Sequence, residues 1–126
     1  MTKTIIIAVH DPNILYLLQR YAEESGFWAV SALGGKDVLA MLACQPDPAL
    51  LILDVELPGL TSPEIWHSLK AEAATRHIPV VFYSSLDEPG EEWHDGVSAY
   101  LPNPVMYDDF VATLKRAGIC LESALS

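Results

Sequence analysis

The run Leu50-Leu51-Ile52-Leu53-Asp54-Val55-Glu56-Leu57-Pro58-Gly59 limits the folds open to this chain more than any other stretch. Four apolar residues lead straight into a carboxylate, and a Pro-Gly turn follows. A continuous aliphatic run suits a central parallel strand covered on both faces. Asp54 then falls at the carboxyl end of that strand, where open α/β sheets bind their ligands.

The surrounding pattern agrees. Ile5 to Val9 is a second β-branched run, and Asp11-Pro12 supplies a helix cap followed by a first-turn proline. Ile14, Leu17, Leu18 and Tyr21 recur at helical spacing up to Gly26. Phe27 to Val30 reads as a strand, Gly34-Gly35 as a turn, and Val38, Leu39 and Leu42 as the inner face of a helix. The third strand is expected over Ala49–Leu53, then a helix from Ser62-Pro63 with Ile65 and Leu69 inward. Pro79 to Ser84 is the fourth strand, Asp87 to His94 a short helix, and Ala99 to Leu101 a brief fifth strand. Asp108 is expected to cap a last helix carrying Phe110, Val111 and Leu114. Strand and helix alternate throughout, so right-handed crossovers give a doubly wound, three-layer α/β fold with a five-stranded parallel sheet.

At 126 residues and 51% hydrophobic content, residues 1–126 are expected to form a single domain. The net charge of −10 disfavours nucleic acid and anionic membranes as partners. No apolar run reaches membrane-spanning length and no leader pattern opens the chain, which points to the cytoplasm. Cys44 and Cys120 are isolated and read as reduced thiols.

Four blocks resemble one known family: Ile5 to Asn13, Leu53 to Gly59, Arg76 to Phe82, and Tyr100-Leu101-Pro102-Asn103-Pro104. Together they are similar to the response-regulator receiver domain of two-component signalling, in order and spacing over nearly the whole chain, with no output domain. The resemblance implies a flavodoxin-like fold with strand order 2-1-3-4-5. It also implies that Asp54 is the phosphoacceptor, Ser84 a contact to the phosphoryl oxygens, and Tyr100 the aromatic switch on the fifth strand. The family's acidic pair, which holds Mg²⁺, corresponds to Val9 and His10, and its lysine to Asn103, the second phosphoryl-oxygen candidate. A cis Asn103-Pro104 bond is a further implication. Both carboxylates and the cation are thus replaced. Thr61-Ser62 stands for the usual Asp-Gly, and the segment between Ser84 and Asn103 is shorter by about one helical turn.

Phosphoryl transfer depends on positioning and charge neutralisation, and Mg²⁺ prefers octahedral oxygen ligands. Candidate metal ligands here are His10, Asp11, Asp54 and Glu56, but His10 offers nitrogen, better suited to zinc, copper or nickel. An acyl phosphate would add roughly two negative charges near Glu56 and Asp11. The leading expectation is a non-enzymatic, receiver-like interaction module that binds a protein partner, a histidine kinase or a downstream effector, with no cofactor. A second is an atypical receiver still phosphorylated on Asp54, with Mg²⁺. A remote third is a small phosphatase using Asp54 as nucleophile. Blander readings stand beside these: Asp54 as a strand-end carboxylate, Ser84 and Ser85 as turn residues, Tyr100 as edge-strand packing. His67, His77 and His94 read as surface residues, and Trp66 and Trp93 as helix residues packed or half-buried. An exposed Trp93 is the alternative, as a partner anchor.

Overall fold

β1, Thr4–Ala8, is aliphatic on both faces after Thr4. Ile5, Ile6, Ile7 and Ala8 are all fully buried, so both sides of the strand must be covered. In the computed structural model, which describes residues 3–44, 48–54, 62–72, 75–83, 99–101 and 106–116, this strand lies inside a parallel sheet. The other strands are β2 (Trp28–Ser31), β3 (Leu50–Asp54), β4 (Val80–Tyr83) and β5 (Ala99–Leu101). Their order is β2-β1-β3-β4-β5, all neighbours parallel, as the alternation and the resemblance led us to expect.

Four helices are described: α1 (Pro12–Glu24), α2 (Gly35–Cys44), α3 (Ser62–Ala71) and α4 (Tyr107–Arg116). Alternate strand residues divide between two cores. Ile5, Ile7, Ile52 and Val81 pack with Leu18, Phe110 and other residues of α1 and α4. Ile6, Leu51, Leu53 and Phe82 pack with Val38, Leu42, Ile65 and Leu69 of α2 and α3. The result is the three-layer α/β arrangement, with the two covers tied to opposite faces of one sheet.

Element ends differ from the sequence reading by about a residue, for identifiable reasons. Asp11 does cap α1, its Oδ1 accepting from Asn13 N at 2.8 Å, with Pro12 next. Gly26 ends that helix with φ 91°, a left-handed value that costs a glycine little. Phe27 N donates to Ala22 O, which holds Phe27 against α1 and delays β2 to Trp28. Gly35 opens α2 rather than belonging to a turn, because Gly34 O accepts from Val38 N. β3 runs to Asp54, one residue beyond the expected end, pairing with Tyr83. Asp108 is not the cap of the last helix. That role falls to Met106, whose carbonyl accepts from Phe110 N, and Asp108 lies in the first turn where its charge suits the helix dipole. The expected helix over Asp87 to His94 lies outside the described residues.

Candidate functional site

β3 delivers Asp54 to the carboxyl edge of the sheet, fully buried. The rest of the strand is apolar, so this carboxylate is the first polar side chain the strand offers to that edge. β1 is its neighbour, with Ala8 level with Leu53, so the chain leaving β1 passes directly beside Asp54.

His10 lies on that exit segment and closes over the carboxylate. Its backbone N–H donates to Asp54 Oδ2 at 3.1 Å, and its ring Nδ1 makes a close contact with the same oxygen. Which of the two groups donates in that contact is set by the tautomer of the imidazole. The imidazole is 42% exposed while Asp54 is at 0%, which makes His10 a partly solvated cover over a buried acid. The sequence offered His10 as a nitrogen ligand for a metal. Its role as the carboxylate's own partner was legible only with β1 and β3 adjacent.

The other candidates divide cleanly. Val9 is buried in the core beneath α1, so position 9 presents hydrocarbon. Asp11 spends its carboxylate on the α1 cap. Tyr100 belongs to β5, opposite Phe82 of β4. Glu56, Ser84 and Asn103 lie outside the described residues, as do Trp93, His94 and Cys120. Among the described residues no three His, Cys, Asp or Glu side chains gather as a metal site. Trp66 is half-buried against the α2/α3 core as expected, with His67 edge-on at 5.2 Å. His67 and His77 are exposed, and Cys44 is an exposed free thiol.

Charge around the site is one-sided. Positions 4–19, 37–69 and 77–114 contain no lysine or arginine, and these spans include every segment leaving β1, β3, β4 and β5. Lys36 comes nearest in topology, in the first turn of α2, but it follows β2, and β1 separates that strand from β3.

No family model matches the chain. It is, however, 29% identical over 118 residues to the polar-differentiation response regulator DivK of Brucella ovis, across 91% of this chain and 95% of that one. The bacteriophytochrome response regulator RtBRR superposes with a TM-score of 0.80 at 27% identity, over 95% of this chain and 80% of that one. In sequence and in fold the chain is similar to response-regulator receiver domains. The receiver fold itself recurs at lower identity: the chemotaxis response regulator CheY4 of Vibrio cholerae matches with a TM-score of 0.80 at 17%. A receiver-type signalling role through protein partners is what these likenesses support. Among the described residues no helix is long and apolar enough to cross a membrane.

The contact between His10 and Asp54 can be weighed by mutation. His10→Ala keeps the backbone N–H donor but removes the ring from a buried carboxylate. Leaving such a group with fewer partners costs about 1–2 kcal/mol, discounted for the ring's exposure. Urea unfolding should register that loss, and His10→Ala combined with Asp54→Asn should cost less than the sum of the two single changes.

Proposed function

We propose that this receiver works as a non-enzymatic interaction module whose partner binding does not depend on phosphorylation of Asp54. The observation that carries the reading is His10 on Asp54: one oxygen of the candidate acceptor, Oδ2, already holds a backbone N–H and an imidazole. A phosphodonor would have to displace that ring to reach Oδ2. Val9 leaves a hydrocarbon wall where Mg²⁺ would need an oxygen ligand, and Asp11 is committed to α1. The residues around Asp54 therefore suit Mg²⁺ poorly, and we assign this domain no cofactor. Asn103, by its likeness to the family's lysine position, supplies no compensating cation. We read residues 1–126 as one receiver domain acting in the cytoplasm on a histidine kinase or an effector, with Tyr100 on the β5 edge as part of the presenting face.

A competing reading keeps Asp54 phosphorylatable, since the acid itself is retained at the expected strand end. Incubation with a small acyl-phosphate donor, with and without Mg²⁺, separates the two by intact-protein mass. The interaction-module reading expects less than about a tenth of the chains to carry phosphate at saturating donor, with no Mg²⁺ dependence. Stoichiometric, Mg²⁺-dependent modification of Asp54 would transfer the conclusion to the competing reading.

A further inference from the structure

The two edges of the sheet are built differently. β5 is three residues long and runs into Pro102 and Pro104, features that discourage further pairing. β2, at the opposite edge, has no charge and no proline, and among the described residues no strand covers it. Trp28 N donates to Lys3 O and Ala32 N to Ile7 O, so the even-numbered residues of β2 face β1. Ala29 and Ser31 consequently point their N–H and C=O groups outward, along the open edge.

That edge is self-complementary. A two-fold axis through Val30 sets Ala29 of one copy opposite Ser31 of the other in an antiparallel pair. Each such pair exchanges both of its backbone hydrogen bonds. The same symmetry brings two exposed apolar residues from opposite ends of β2 together: Trp28, 65% exposed, meets the partner's Ala32–Leu33 end, and Leu33 is 76% exposed. Charge agrees as well. Exposed Lys3 and Glu24 flank the amino end of β2, and exposed Lys36 and Asp37 follow its carboxyl end. Antiparallel pairing places Lys36 of one copy at the Glu24 end of the other, and Asp37 at the Lys3 end. Residues 25–35 carry no charge at all, which gives a chain of net −10 a stretch where two copies approach without mutual repulsion. A shallow, mainly apolar groove of about 310 Å³ beside Val30, lined by Asp37, Ala40, Met41 and Cys44 of α2, extends this surface.

We infer that the β2 edge is a homodimer interface, in which two receivers join their sheets antiparallel about Val30 into one continuous sheet. This surface is independent of the chemistry at Asp54. The direct test is a cross-link. Non-hydrogen-bonded residues facing each other in an antiparallel pair sit about 4.5 Å apart at Cα, within disulfide range. In a Cys44→Ser/Cys120→Ser background, Val30→Cys should form a disulfide-linked dimer under copper-phenanthroline oxidation, and Tyr16→Cys, exposed on α1, should not.

Sedimentation over a concentration series supplies the second readout in the unmodified chain. Trp28→Lys should weaken the dimer about tenfold or more with its circular dichroism spectrum unchanged. Lys36→Glu should weaken it as well, and adding Glu24→Lys should recover most of the loss. A chain that stays monomeric at every concentration, or a dimer that cross-links equally through Tyr16→Cys, overturns the assignment. So does a dimer indifferent to both Trp28→Lys and Lys36→Glu.

Discussion

The combined substitution Val9→Asp, His10→Asp, Asn103→Lys should raise acyl phosphorylation of Asp54 by at least about a hundredfold over the unmodified chain in the presence of Mg²⁺. The reasoning is electrostatic. A unit charge about 4 Å from a developing phosphoryl charge is worth on the order of 4 kcal/mol at an effective dielectric near 20. That corresponds to about three orders of magnitude in rate. The three changes supply a lysine and two carboxylates able to ligate Mg²⁺, and they remove the ring that lies on the acid. Some of the gain is offset, since position 9 is buried and a carboxylate there is costly until a cation occupies the site. His10→Asp alone should gain far less, because it adds a second carboxylate beside Asp54 without a counter-charge. Initial rates by intact mass, with circular dichroism to verify folding, provide the comparison. Equal rates in the triple variant and the parent would mean that these positions are not what restrains Asp54.

Phe82→Ala should be the most damaging single change in the core. Phe82 is fully buried at the centre of β4, pairs with Leu53 and Tyr100, and packs among the α2 and α3 side chains. Truncating a buried phenylalanine costs about 3–5 kcal/mol, from lost burial and from the cavity left where a sheet cannot collapse. For a domain of this size that lowers Tm by roughly 10–20 °C. Trp28→Ala removes a larger ring, yet 65% of Trp28 is already in water, and the cost should stay below about 1 kcal/mol in the monomer. Urea unfolding at low protein concentration should show the contrast as a change in midpoint with unchanged slope.

The fold was largely written in the apolar runs. Ile5 to Val9, Leu50 to Leu53 and Val80 to Tyr83 admit few environments other than a sheet covered on both sides, and Ile65 and Leu69 mark α3 by spacing alone. Boundaries were less legible because single backbone hydrogen bonds set them. Phe27 N to Ala22 O delays β2, Gly34 O to Val38 N opens α2 at Gly35, and Met106 O to Phe110 N displaces Asp108 from the cap. None of these leaves a mark in residue type.

The site was legible in half. Asp54 at the end of a buried strand followed from the sequence, whereas Val9 and His10 as the counterparts of an acidic pair are an implication of the resemblance alone. What His10 does instead was not legible, since it depends on β1 lying next to β3 and on a ring turning back over the acid. The outermost place of β2 came from the strand order that the resemblance implies, since nothing local to Phe27 to Val30 marks it.

The central claim is that the surroundings of Asp54 do not accept a metal-bound dianion, and a phosphoryl mimic tests it without any kinase. Two-dimensional amide NMR of the unmodified chain should be recorded before and after adding beryllium fluoride and Mg²⁺. The account expects the resonances of Val9, His10 and Asp54 to stay in place, with His10 still on the carboxylate. Saturable shifts at those residues that need both beryllium fluoride and Mg²⁺ would contradict it, and would make this receiver a working phosphorylation switch.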